Sequence, residues 1–314
     1  MKEIIIKSND EGQRTDRFLM KLFPDLPMGM LYKAIRNKKI KVNRKRCTND
    51  QRLHAGDQIQ LFLPPQWLEE KKATVAFLQV PKALSIVYED DQIVVIDKPV
   101  GLRSQSDQAQ VQDCVVNRLL HYLYAKGEYD PEKEQSFTPA ICNRLDRNTR
   151  GLIIAAKTAK ALREMNEGIR EHHVQKYYLA CVEGVLQTKT GELRLYHKKE
   201  GTKAILFETP KPDTKPCSLR YQIWKKHAQH TIIEVELISG KFHQIRAMFA
   251  FIHHPLLGDV KYGAKKQVAY QALAAYRLCF HFPIHSGLAY LNEKRIMIDP
   301  ESIVDMWQRQ TIFG

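Results

Sequence analysis

The sequence predicts a protein that mixes helices with strands and divides into two units. Three observations carry this expectation. Apolar residues recur at helical spacing in some stretches and at strand alternation in others; Pro64-Pro65, followed by the charged run Glu69-Glu70-Lys71-Lys72, interrupts the pattern; and basic residues crowd into the part before that interruption. We place a first domain at 1–64, a linker at 65–80 and a larger domain at 81–314.

In the first unit, Phe18, Leu19 and Leu22 mark a helix that Thr15 or Asp16 would cap and Pro24 would stop. A second helix from about Pro27 would turn Met28, Leu31 and Ile35 inward. Ile40 and Val42 alternate with lysines as a strand does, and Ala55-Gly56-Asp57 turns the chain into a second strand over 58–63. Lys33, Arg36, Lys38, Lys39, Lys41, Arg44, Lys45 and Arg46 fall within this stretch with no acid among them. Residues 1–64 hold 14 basic and 7 acidic side chains, half of the chain's formal net charge of +14. A folded surface with one sign of charge suits phosphates better than it suits solubility alone. Two helices, a basic turn and a small sheet resemble the compact RNA-binding module first known from a small-subunit ribosomal protein, the S-four type.

Elsewhere the composition excludes more than it names. No apolar run approaches a membrane span, no basic amphipathic helix is apolar enough for a membrane surface, and the opening Met1–Lys7 is too short in its apolar part for a signal peptide; a cytoplasmic protein with no membrane partner is expected. The six cysteines are scattered, without C-x-x-C pairs, and read as reduced packing residues, Cys142 included.

In the larger unit, Tyr88–Gln92 reads as an acidic turn, 93–97 as a buried strand and Lys98-Pro99-Val100-Gly101-Leu102 as a second turn. A helix is expected around 111–125, with an exposed loop over 127–138. Thr158 should cap a helix that turns Ala161, Leu162, Met165 and Ile169 inward. Residues 174–183 alternate, so that Val174, Lys176, Tyr178, Ala180 and Val182 share a face. Residues 185–230 suggest hairpins with mobile basic loops at 198–203 and 211–215. A strand over 232–238 leads through Ser239-Gly240-Lys241 into a helix opened by Phe242, with Phe242, Ile245 and Phe249 inward and His243 and Arg246 on another face.

The chemistry centres on Asn143-Arg144-Leu145-Asp146-Arg147-Asn148-Thr149-Arg150-Gly151-Leu152, a turn-prone segment before the apolar run 152–156. Asp146 would stay ionised beside Arg144, Arg147 and Arg150, available as nucleophile or base; the alternative is an ordinary loop aspartate in a salt bridge. Glu89, Asp90, Asp91 and Asp97 could suggest magnesium, but they read as a solvated turn, and His243, His253 and His254 fit no zinc spacing. No metal is expected.

Arg-Leu-Asp-Arg-x-Thr-x-Gly-Leu resembles the active-site motif of the RluA family of RNA pseudouridine synthases. Tyr88–Leu102 is similar to the family's first motif, Lys176-x-Tyr178-x-Ala180-x-Val182-x-Gly184 to its second strand, and Ser239–Arg246 with His254–Gly263 to its third. Asn143 and Arg150 stand where the commonest form has His and Ser; neither replaces the acid. The resemblance, strongest to members that modify bacterial large-subunit ribosomal RNA, implies an α+β fold with a mixed, mostly antiparallel central sheet in two halves and a catalytic cleft between them. It implies a monomer that isomerises uridine in RNA without a cofactor. Asp146 would be the essential acid, Arg246 its partner, and Tyr178 a packing surface for the base and a candidate general base. Arg144, Lys241 and His243 would contact substrate. The rival readings are a non-catalytic RNA-binding or ribosome-assembly factor and a metal-dependent nuclease.

Overall fold

A computed structural model describes residues 1–70, 75–106, 112–265 and 268–309. Near the N-terminus, strands β1 (Lys2–Ile5), β2 (Ile40–Val42), β3 (Lys45–Arg46) and β4 (Gln58–Leu61) form a sheet in the order β1-β4-β2-β3, every neighbour antiparallel. Helices α1 (Thr15–Leu22) and α2 (Met28–Arg36) bury Phe18, Leu19, Leu22, Leu31 and Ile35 with Ile4, Ile40, Val42, Ile59 and Leu61 of the sheet. Two local expectations fail. Neither Thr15 nor Asp16 caps α1: Thr15 Oγ1 donates to the Gln51 carbonyl (3.0 Å), and the buried Asp16 accepts from Arg14 Nη2 (2.8 Å). Met28, in the first turn of α2, is exposed, and Ala34 takes the inner position. Asn43 and Arg44, both at positive φ (50° and 62°), make the two-residue turn between β2 and β3. Asn43 Oδ1 accepts the Gln58 N–H (2.9 Å), so the turn is anchored and Arg44 stands at its tip.

The larger sheet has eleven strands among the described residues. They are β5 (Ile86–Glu89), β6 (Ile93–Lys98), β7 (Ala140–Ile141), β8 (Arg150–Ala156), β9 (Val174–Glu183), β10 (Thr190–Glu200), β11 (Lys203–Phe207), β12 (Lys215–Lys226), β13 (His230–Leu237), β14 (Leu273–Phe280) and β15 (Arg295–Met297). The path runs β11-β10-β12-β13-β9-β14-β8-β6-β5, with β15 on β14 and β7 on β8. The β14–β8 pair is parallel and the other pairs are antiparallel, so the fold is α+β with a mixed, mostly antiparallel sheet.

The runs 93–96 of β6 and 152–156 of β8 are apolar because both faces are covered. Helices α3 (Val115–Ala125) and α5 (Gln244–Phe251) cover one face, packing Leu119, Leu123, Ile245 and Phe249 with Val94, Ile96 and Ile153. Helices α4 (Ala159–Arg170) and α6 (Pro300–Arg309) cover the other, packing Met165, Ile303 and Trp307 with Ile93, Val95, Leu152 and Ile154. Thr158 caps α4 as expected, its side chain accepting from Ala161 N–H.

Several loops differ from expectation. The acidic turn is shorter, since Tyr88 and Glu89 belong to β5 and only Asp90 shapes the turn, accepting from the N–H groups of Gln92 (2.7 Å) and Ile93 (2.8 Å). The helix expected from 111 begins at Val115, and Val111 lies outside the described residues. The 127–138 loop is not simply exposed: Tyr129 and Phe137 are buried, and Gln135 and Ser136 bond residues of the N-terminal unit, Lys7 N–H to Gln135 Oε1 (3.1 Å) and Gln13 Nε2 to Ser136 Oγ (2.9 Å). Lys198 and Lys199 lie in β10 of a hairpin with β11 rather than in a loop, because their cross-strand partners Ile205 and Ala204 complete the ladder.

Gly151 sits at the parallel seam. Its φ is +129°, and a Cβ there would come within 2.1 Å of the Ala275 carbonyl oxygen. Backbone strain and overpacking then act together. A Gly151→Ala protein is therefore expected to lose about 2–5 kcal/mol of stability by urea unfolding; an unchanged midpoint would show that the seam can open at no cost.

Candidate active site

Asp146 lies in the turn that leads into β8, and its neighbours are pinned before its side chain is considered. Ser104 Oγ donates to the Leu145 carbonyl (2.8 Å) and accepts its N–H (3.1 Å). Asn143 Oδ1 accepts the Ile154 N–H (2.8 Å) while its Nδ2 reaches the Leu152 carbonyl. Thr149 N–H closes back on the Asp146 carbonyl (3.0 Å), and Thr149 Oγ1 accepts from Gln271 Nε2 (3.2 Å). Beneath the turn, the fully buried Lys98 ammonium donates to the carbonyls of Pro99 (2.9 Å), Leu102 (2.8 Å) and Arg147 (2.9 Å), tying the 99–102 loop to the Asp146 segment. Burial pushes Lys98 down from near 10.5 to about 8, against the opposing pull of Asp146 and Asp97.

The arginines close to Asp146 in sequence are not its partners. Arg144 is exposed, Arg147 Nε donates to the Gly101 carbonyl (3.0 Å), and Arg150 pairs with Asp97 (2.8 Å). The cation comes instead from α5, 100 residues away: Arg246 Nη1 donates to Asp146 Oδ2 at 2.9 Å. Arg246 is itself gripped from behind, with Nε and Nη2 on Asp259 Oδ2 (2.7 Å) and Oδ1 (2.8 Å) and the Tyr262 ring centroid 5.2 Å from its guanidinium carbon. Asp259 and Arg246 are buried, whereas the Asp146 side chain remains about a quarter exposed (27%). The arrangement presents one carboxylate to solvent on a rigid cationic mount.

Tyr178 is buried on β9, and burial, with the Asp146 charge added, pushes its phenol well above the usual tyrosine range. It is therefore held as the neutral phenol. His243 does not share a helical face with Arg246. It precedes α5 in the left-handed region (φ 52°), and this turn brings its Nε2 to 3.6 Å from Asp146 Oδ2. Burial holds His243 down at about 4. Lys241 lies in the turn before it, its N–H donating to Gln244 Oε1 (3.0 Å).

The fold thus gathers Asp146 with Arg246 and His243, and brings Tyr178 within its electrostatic reach. The basic residues from Lys33 to Arg46 belong to the N-terminal unit, from the end of α2 through β3; all are exposed except the half-buried Lys41, whose Nζ lies 5.5 Å from the Phe62 ring centroid. Sequence reasoning missed Asp259, Tyr262 and Lys98. The string 258–263 contained the first two, but only the folded chain reveals a buried acid behind Arg246. Of the carboxylates that suggested magnesium, three are occupied: Glu89 by Lys126 (2.7 Å) and Lys157 (3.2 Å), Asp90 by its own turn and Asp97 by Arg150; Asp91 is exposed. Among the described residues no three His, Cys, Asp or Glu side chains converge as metal ligands.

Residues 92–251, which include Asp146, Tyr178 and Arg246, match the RNA pseudouridylate synthase family. A chain named as an RNA pseudouridine synthase in Mycoplasma genitalium is 32% identical over 309 residues, covering 93% of this chain and 95% of that one. The chain belongs to the RNA pseudouridylate synthase family. The ribosomal large subunit pseudouridine synthase C of Escherichia coli K12 is 30% identical to the synthase over 274 residues, covering 85% and 81% of the two chains. Human RNA pseudouridylate synthase domain containing 4 shares the fold, with a TM-score of 0.56 at 20% identity over 72% of this synthase and 93% of that chain. The reaction is the isomerisation of uridine to pseudouridine in RNA. Asn143 and Arg150, the two departures from the common motif, hold the β8 hairpin and Asp97, and neither touches the Asp146 carboxylate.

Lys98 gives the synthase a stability term with a defined sign. Its folded value of about 8 lies below the unfolded one near 10.5, so between those pH values the unfolded chain binds the extra proton and stability rises with pH. In urea unfolding from pH 7.5 to 10.5, wild type should gain on the order of 3 kcal/mol relative to Lys98→Met; parallel curves would mean that the folded and unfolded lysines titrate alike.

Proposed function

We propose that this synthase modifies uridines in large-subunit ribosomal RNA with Asp146 as its catalytic carboxylate. Residues 1–64 serve as an RNA-binding module of the ribosomal S-four type, residues 65–80 as a linker and residues 81–314 as the catalytic domain. The observation that carries the catalytic assignment is the contrast within one ion chain: Asp259 and Arg246 are buried and mutually satisfied, while Asp146 at its end is open to a ligand. The name of the Escherichia coli relative supports the choice of RNA.

The chemistry fits such a site. The bond between N1 and C1′ breaks, the base turns, C5 joins C1′, and the C5 proton leaves as N1 gains one; electrons balance without a redox partner. Asp146 either attacks the sugar or takes a proton from it, and Arg246 holds it oriented for either role. Tyr178 supplies an apolar surface for the base. The exposed Arg144, two residues before Asp146, can enter the stack in place of the flipped nucleotide, with Lys241 completing the contacts. Flipping costs a few kcal/mol, which phosphate contacts from Lys33, Arg36, Lys38, Lys39, Lys41, Arg44, Lys45 and Arg46 offset.

A reading as a non-catalytic RNA-binding factor draws no support from Asn143 or Arg150, whose roles are structural. Pseudouridine mapping of total RNA from a strain lacking the protein should show missing sites that wild type restores and Asp146→Asn does not; restoration by Asp146→Asn would remove the acid from the mechanism. Replacing Arg44, Lys45 and Arg46 together by alanine should weaken RNA binding and flatten the slope of log affinity against log salt by about 2, because each phosphate that is no longer neutralised takes about 0.7 from the slope. An unchanged slope in filter binding would place the RNA elsewhere.

A further inference from the structure

We propose that His243 is a positioning residue: held by Tyr262 as the neutral tautomer with its proton on Nε2, it steadies Asp146 through Oδ2 and leaves Oδ1 as the oxygen that reacts. The inference rests on the reading of Asp146 as the catalytic acid and adds which of its oxygens works and what fixes it.

The tautomer follows from the hydrogen bonds. Tyr262 Oη accepts the Ala204 N–H of β11 (2.8 Å) and lies 2.9 Å from His243 Nδ1. Its own hydrogen needs an acceptor, and among the described residues Nδ1 is the one within reach. An Nδ1 that accepts carries no proton, so in the neutral ring the proton is on Nε2, which faces the carboxylate. The opposite tautomer would set an Nε2 lone pair 3.6 Å from an anionic oxygen. Neutrality has its own cause. Asp146 and Asp259 favour the imidazolium, but burial opposes it, as do Arg246 on α5 and Lys261 beside Tyr262; Lys199 of β10 adds a further positive charge on the far side of Phe242.

The backbone agrees with a positional role. His243 occupies a left-handed conformation that costs a histidine on the order of 1 kcal/mol or more. Its ring is stacked on Phe242 at 3.7 Å between centroids, which locks its plane. One residue later the chain is helical, so the strain serves to aim the imidazole at the turn before β8 rather than along α5. Asp146 Oδ2 thus receives Arg246 at 2.9 Å and faces His243 at 3.6 Å, a distance that closes to a hydrogen bond when substrate seals the site. Among the described residues Oδ1 has no such partner. Its lone pairs are free for the ribose.

Four proteins and one spectrum test this. Two-bond nitrogen–proton correlation of the labelled wild-type protein, without RNA, should show His243 neutral with the proton on Nε2 at pH 7.5, its signal assigned by its loss in His243→Gln. His243→Phe keeps the stack but has no N–H, and should lose tenfold or more in kcat with KM within twofold. His243→Gln, whose amide reaches the Nε2 position, should recover most of that loss. Tyr262→Phe frees the proton to move to Nδ1, and should lose about tenfold in kcat with KM within twofold while its spectrum shows His243 neutral with the proton on Nδ1. An Nδ1-protonated or cationic His243 in the wild-type protein, a fully active His243→Phe, or a Tyr262→Phe protein that keeps the Nε2 proton yet loses activity each overturns the proposal. Activity in Asp146→Asn would instead overturn the reading of the acid, while the spectrum of the free protein would still report on His243.

Discussion

The structure depends on a chain of three charges, Asp259–Arg246–Asp146, that runs from the protein interior to an open site. Guanidinium suits the central place because its donors lie in a rigid planar fork: Nε and Nη2 meet one carboxylate side-on, and Nη1 is left pointing at another. A buried arginine would be costly alone, and so would a buried aspartate; together they are tolerable, and removing either leaves a charge whose exposure to low dielectric costs about 3–5 kcal/mol. The outer carboxylate is spared that cost by its partial exposure. Rigidity is therefore built inside the fold and used at its edge.

The rest of the molecule brings these three residues into line. Asp146 enters from the β6–β8 side of the sheet and Tyr178 from β9, while Arg246 descends on α5 from the connection after β13. The two sides meet where β14 lies between β8 and β9, and the parallel β14–β8 pair is the joint. Backbone approach at that joint leaves room for hydrogen at Gly151 and for little else, which explains a glycine directly after the arginine of the motif. Lys98 performs the matching task from below. Its three carbonyl contacts bind the loop of one strand to the turn of another, and the same burial that makes it rigid makes its charge costly.

Positive charge is displayed in two settings of different character. The N-terminal sheet carries its cations on an exposed turn, where mobile counterions can be exchanged for phosphate. The site around Asp146 carries its cation buried and already paired. The hydrogen bonds from Lys7 and Gln13 to Gln135 and Ser136 tie the N-terminal unit to the loop after α3.

The sequence by itself determined the periodic elements and singled out Asp146 as the candidate acid. The strand cores at 93–97, 152–156 and 174–183, the α4 helix with its Thr158 cap, and the turn holding Asp146 all follow from local patterns, because alternation, helical spacing and capping are properties of neighbours in the chain. Resemblance to a known motif named Arg246 as the partner. Only the tertiary structure decided how the partner is held. Arg144, Arg147 and Arg150 are close in sequence yet turn to solvent, to a carbonyl and to Asp97, while Asp259, Tyr262 and Lys98 reach the site from other segments. Burial, desolvation and the left-handed turn at His243 arise from packing between segments far apart in the chain, and no window of neighbouring residues contains them.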